Sequence, residues 1–146
     1  GSAVYAGGAA LGVASRTYNQ AASGTFGQAI PGRSAGEALA PGEVGYLVEL
    51  HENGAFRTNL GFLNTSASAS AVVTVDYYDQ DGVALGQRVV TLRPLEQHQE
   101  NRAFTAVTAE AVTNGRARVR VSGAPVLAYA SVVDNQTSDP SYLEPR

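Results

Sequence analysis

Arg116, Arg118 and Arg120 alternate with Ala117, Val119 and Val121, so one extended segment presents three guanidinium forks on one face and apolar side chains on the other. Guanidinium groups hold carboxylates and phosphates through paired N–H donors, and three in a row form a clamp for anionic groups. A solvated sheet face produces the same alternation when its arginines pair with acids on a neighbouring strand, and Glu96 and Glu100 are the expected partners. Arg16 and Tyr18 share a face of an earlier extended segment and make a smaller candidate of the same kind. Tyr77 and Tyr78 face opposite sides, one toward the core and one toward solvent, where sugar-binding surfaces place their aromatic rings.

Gly32-Arg33-Ser34-Ala35-Gly36 matches the Gly-x-Ser-x-Gly pattern of a hydrolase nucleophile elbow. That elbow needs a buried strand before it and a helix after it, whereas Pro31 precedes this one, and a serine needs a positioned base. His51 and His98 are the two histidines of the chain, and His51 falls at a turn. A flexible turn is the reading preferred for Ser34. Asp79-Gln80-Asp81-Gly82 offers closely spaced carboxylates of the kind calcium takes, but an EF-hand register puts Tyr77 first and Arg88 last, where carboxylates are required. Asp79 and Asp81 are thus a weak calcium candidate, with Asp76 or Asp134, Asn135 and Asp139 as further donors. Two separated histidines and no cysteine give no zinc or copper set, and no cofactor is called for.

These residues must be positioned by strands. Asn53-Gly54, Asp81-Gly82 and Asn114-Gly115 each lie between alternating segments, and both dipeptides tolerate the positive φ of a two-residue hairpin turn, so three hairpins are expected. The strands read as Leu11 to Asn19, Val44 to Leu50, Phe56 to Phe62, Val73 to Tyr78, Val83 to Leu92, Leu95 to Asn101, the arginine segment, and an apolar, central Val126 to Val133. Pro94 ends one of them, because proline cannot donate to a ladder. Ala21 to Gly42 reads as a long irregular connection pinned by Phe26. Ala103 to Val112 has a helical turn, and the tail after Val133 is turn-rich. Ala14 to Gln20 and Ala130 to Gln136 echo one another, as a pseudo-symmetric pair at one rim or as two strands with similar exit turns.

A chain of 146 residues with 44% hydrophobic and 16% charged residues has the size and composition of one domain with its own core. A net charge of −3 lacks the basic footprint of a nucleic-acid or anionic-membrane partner, and no apolar run is long enough to span a bilayer. All ten basic residues are arginine, which with abundant alanine and glycine suggests a GC-rich genome. Gly1-Ser2 reads as a cloning remnant, leaving residues 3–146 as a single domain whose native start is missing.

Asn64-Thr65-Ser66, Val73 to Gly82, Leu85-Gly86 and Thr91 to Pro94 resemble a pattern in immunoglobulin-like β-sandwich modules of large bacterial extracellular proteins. Gly115 to Val121 with Gly123-Ala124-Pro125-Val126 resembles the closing hairpin of those modules. The resemblance covers a third to a half of the chain. It implies a spacer, adhesion or binding unit that is secreted or on the cell surface, and it transfers no functional residue.

The expected fold is therefore an all-β, immunoglobulin-like antiparallel sandwich of about seven to nine strands. Its core should hold Val48, Leu50, Leu60, Phe62, Val73, Val75, Val119, Val121, Leu127 and Tyr129. The expected function is a non-catalytic structural or interaction module with a protein or glycan ligand, able to self-associate through an open sheet edge. A carbohydrate-binding module is the alternative, excluded if Tyr18, Tyr46, Tyr78 and Tyr129 are all buried. A small serine hydrolase using Ser34 is a lesser alternative, requiring a histidine within hydrogen-bond reach.

Overall fold

Alternation of apolar and polar residues does produce a two-layer antiparallel β fold, seen in a computed structural model that describes residues 12–22 and 24–146. Its strands are β1 (Ala14–Ala21), β2 (Gly24–Pro31), β3 (Val44–Glu52), β4 (Phe56–Asn64), β5 (Ala71–Tyr78), β6 (Ala84–Leu92), β7 (Gln97–Glu100), β8 (Val112–Ser122), β9 (Val126–Asp134) and β10 (Pro140–Leu143). One sheet has the order β3-β8-β5-β6, the second β10-β9-β4-β7, and β1 and β2 form a separate two-stranded ribbon. These are ten strands among the described residues, one more than the expected upper number. Gly1-Ser2 and the expected start of the first strand at Leu11 fall outside the described residues.

Leu50, Leu60, Phe62, Val73, Val75, Val119 and Val121 are buried as expected, joined by Leu47, Tyr77, Leu92, Phe104 and Val112. Three core expectations fail. Val48 is 37% exposed, because Glu49 adopts a left-handed backbone (φ 58°) and inserts one extra residue between Leu47, opposite Ala117, and Leu50, opposite Gly115. The inward face therefore runs Gly45, Leu47, then Leu50, Glu52, and unbroken alternation puts Val48 on the wrong side. Leu127 and Tyr129 are half-buried on the outer face of β9, while Val126, Ala128, Ala130 and Val132 point inward.

Only one of the three turn signals joins hydrogen-bonded partners: Asp79 to Val83 links β5 to β6, with Gly82 at φ 84°. Asn53-Gly54 is an arch that carries the chain from one sheet to the other, since β3 pairs with β8 and β4 with β9 and β7. Asn53 shapes it by accepting from the N–H groups of Ala55 and Phe56. Asn114 (φ 55°) lies within β8, where Asn114-Gly115 is a bulge that answers the one at Glu49. The expected closing hairpin is likewise split, with β8 and β9 in different sheets.

The segment expected to be irregular contains β2, which pairs with β1 along its whole length. Leu39, not Phe26, ties the connection down: Leu39 and Val126 exchange both backbone hydrogen bonds at 3.0 Å, and Leu39 packs against the core. The expected helical turn is a 3₁₀ turn at Ala103–Ala106, and the tail forms β10. Ala14 to Gln20 and Ala130 to Gln136 are not neighbours in a sheet, which leaves their similarity without a shared rim.

Gly61 is buried directly opposite Tyr129, whose ring lies across the space a side chain there would fill. That ring stacks on Tyr142 at 5.6 Å and its hydroxyl donates to Gln99 Oε1 at 2.9 Å. Gly61→Ala is expected to expel the ring and lower stability by about 1–2 kcal/mol, measurable by urea denaturation followed by circular dichroism.

Candidate functional site

The outer face of the β3-β8-β5-β6 sheet collects most of the chemically capable residues. Strand pairing sets Tyr46, Arg118, Asp76 and Gln87 side by side in one row, with Val44, Arg120, Thr74 and Val89 in the next. Arg116 lies opposite Tyr78 at the end nearest the Asp81-Gly82 turn. Inward, the same strands bury Ala117, Val119, Val121, Val73 and Val75, so the arginine positions follow from the demand of the core.

Asp76 organises this face. Only 8% of it is exposed. One carboxylate oxygen accepts from Gln87 Nε2 at 2.6 Å, and the other from Arg118 Nε at 3.0 Å and Arg120 Nε at 3.1 Å. Burial acts to raise its pKa, but the hydrogen bonds from Gln87, Arg118 and Arg120 outweigh this and hold it below the ordinary aspartate value. Sequence reasoning placed Asp76 only among possible calcium donors and named Glu96 and Glu100 as the arginine partners. Glu96 pairs with Arg93, and Glu100 is in the other sheet, accepting from the Tyr77 hydroxyl at 3.2 Å and facing Arg88. The signal was available in the alternation of β5, where Asp76 follows the inward Val75.

Arg116 has no carboxylate partner among the described residues. Its guanidinium sits 5.3 Å from the centre of the Tyr78 ring, and Arg118 approaches the same ring at 6.0 Å. Around the arginines Val44, Val48 and Val89 are exposed, and Tyr46 is 44% exposed. The face is therefore a fixed cationic row with an apolar border.

The other candidates are dispersed. Arg16 lies over the Tyr18 ring at 5.7 Å on the β1-β2 ribbon, which is not part of the arginine sheet. Ser34 caps a 3₁₀ turn at Ala35–Glu37: its hydroxyl donates to Glu37 Oε2 at 3.0 Å, as does its backbone N–H at 2.8 Å. Those bonds and Arg33 keep the Glu37 carboxyl below its ordinary value, and Arg33 also binds Glu144. No histidine joins Ser34; His51 Nδ1 accepts from the N–H of Asn114, and His98 faces Glu100. Asp79 Oδ1 accepts from the N–H groups of Asp81 and Val83, and Asp81 accepts from Gln80, so both serve their own turn. No group of three or more histidine or acidic side chains able to hold a metal occurs among the described residues.

Two shallow concavities lie elsewhere. The larger, about 430 Å³, is lined by Glu52, Arg102, Thr105 and Glu110, but Glu52 is already satisfied by Arg102 Nη1 at 2.7 Å and the Thr58 N–H at 3.2 Å. The other, about 340 Å³, lies between Val48 and Tyr142. Among the described residues no helix is long and apolar enough to cross a membrane.

No protein-family model and no curated protein matches this chain. Among solved structures, the crystal structure of Thermotoga maritima 1070 is similar, with a TM-score of 0.58 over 73% of this chain and 94% of that one. Sequence identity is 11%, so the likeness is one of fold.

Proposed function

We propose that the chain is a non-catalytic interaction module, of the immunoglobulin-like class of sandwich, that binds an acidic protein partner through the outer face of the β3-β8-β5-β6 sheet. The observation that carries this reading is the row Arg116, Arg118 and Arg120, fixed in place over Asp76 and Tyr78 and bordered by exposed Tyr46, Val44 and Val48. Arginine and tyrosine dominate the energetics of protein interfaces, and a guanidinium held in advance loses little freedom when it meets a carboxylate. Its resemblance to modules of bacterial extracellular proteins supports a secreted or surface-attached setting.

A glycan ligand is the second reading, favoured by the exposure of Tyr46 and Tyr18, since the burial that excludes it is not met. The rings differ in availability, because Tyr78 is covered by two guanidinium groups.

Calorimetric titration with a glutamate-rich peptide and with a neutral oligosaccharide separates these. The peptide is expected to bind, more weakly as salt rises, and Arg116→Ala is expected to weaken it about tenfold, the loss of one charge-assisted pair. Arg116 is the variant of choice because it holds no ion pair among the described residues, so its removal leaves Asp76 satisfied. Binding of the oligosaccharide alone, abolished by Tyr46→Ala, establishes the glycan reading, and no response to either probe overturns both.

A further inference from the structure

Among the described residues the three sheets end in six edge strands, and five of them are guarded or covered. The open side of β3 is interrupted by the Glu49 bulge, and its Tyr46 exchanges both backbone hydrogen bonds with Arg146. β6 is broken by a register shift, with Gly86 at φ 155°. β7 has four residues, and β10 has four, begins with Pro140 and lies beside β2. Short strands, bulges and proline are the usual protection of a sheet edge. β1 has none among the described residues: it is eight residues long, regular in its pairing with β2, free of proline and lysine, and exposed from Ala14 through Gln20.

The direction of its free backbone groups follows from its pairing. The Val13 C=O accepts from the Gly32 N–H at 2.8 Å, while Ala14 lies opposite Pro31, which has no N–H. By alternation Ser15, Thr17 and Asn19 address β2, and Ala14, Arg16, Tyr18 and Gln20 turn their N–H and C=O groups to the open side. An antiparallel copy of β1 can bond there only in registers that match outward residues with outward residues. A two-fold axis at Arg16 sets arginine against arginine. An axis at Tyr18 sets Arg16 against Gln20. An axis at Thr17 sets Arg16 of each copy against Tyr18 of the other and threonine against threonine, giving two cation–π contacts and no like-charge pair.

We propose that β1 pairs with β1 of a second copy of this chain, antiparallel, about a two-fold axis at Thr17. Two two-stranded ribbons become one four-stranded sheet in the order β2-β1-β1-β2. The pairing uses none of the arginine face, so it stands apart from the proposed function.

The chain contains no cysteine, so one introduced thiol reports only on contacts between copies. At the axis Thr17 faces its counterpart across a non-hydrogen-bonded pair, where Cα atoms lie about 4.5 Å apart, within disulfide range. Under mild oxidation Thr17→Cys is expected to form disulfide dimers at least about tenfold faster than Asn19→Cys, whose counterpart lies several residues away. Sedimentation of the unmodified protein over a concentration series should show a monomer–dimer equilibrium, shifted to monomer about tenfold or more by Thr17→Lys. Equal cross-linking at positions 17 and 19, faster cross-linking of Tyr18→Cys, or a unmodified protein that is monomeric at every concentration each overturns the proposal. Circular dichroism of each variant confirms that the sandwich is intact.

Discussion

Phe104→Ala is expected to lower stability by about 3–5 kcal/mol, the largest effect of any single truncation considered. The ring is fully buried on the 3₁₀ turn Ala103–Ala106, where the chain crosses from β7 in one sheet to β8 in the other. It meets Tyr77 edge to face at 5.1 Å and reaches toward Gly115, so the inner surface of the β3-β8-β5-β6 sheet leans on it. Strands on either side are held by ladders and cannot collapse into the space it leaves. In a chain of this length that loss corresponds to a melting temperature lower by on the order of 10–20 °C. Calorimetry checks it, and a loss below about 1 kcal/mol would show that the end of the sandwich repacks freely. The same variant should loosen Tyr77, whose hydroxyl is pushed well above its ordinary pKa by burial and by the Glu100 carboxylate it touches.

Asp76→Ala is expected to cost about 2–3 kcal/mol, the range for hydrogen bonds to a charged group. The value stays below that of a fully buried ion pair because Arg118 and Arg120 are 37% and 44% exposed and regain water when the carboxylate is gone. Its pH dependence identifies the interaction. The folded carboxyl is held below the ordinary aspartate value, so on acidification the unfolded chain takes up the proton first. The contribution is therefore complete above the ordinary value and is lost as pH falls through the folded one. Stability of the unmodified protein and of Asp76→Ala, measured by urea denaturation from pH 6 downward, should converge below pH 4. A constant difference across that range would assign the effect to packing instead.

Period-two alternation was the legible part of this fold. It placed β5, β6 and β8 and the inward Val73, Val75, Val119 and Val121, because these strands keep their pleat over the residues concerned. It failed wherever one residue left the extended region: a single left-handed Glu49 moved Val48 outward, and Asn114 turned an expected reversal into a bulge. Asn-Gly reports a local willingness to adopt positive φ, and arches, bulges and hairpins all use that willingness. Which of the three results is decided by distant pairing, invisible to a local pattern. β2 escaped notice for a related reason, since Gly24-Thr25-Phe26-Gly27-Gln28-Ala29 buries little and carries no apolar stripe.

At the arginine face the three guanidinium positions were legible and their carboxylate was not. The acids sought were neighbours in sequence order, whereas Asp76 is a neighbour across the β5-β8 ladder. A pattern along one strand fixes which face a side chain takes, and only the register between strands fixes what it meets.

Because β3 and β4, β4 and β5, and β8 and β9 pass alternately between the two sheets, neither sheet can zip up from adjacent segments, apart from the β5-β6 and β9-β10 hairpins. Loop closure over tens of residues must precede most of the native pairing, which puts folding in the millisecond-to-second range and leaves apolar strands uncovered in the meantime. Slow acquisition of the native state, and sensitivity to crowding by other nascent chains during it, are the kinetic counterpart of this interleaved wiring.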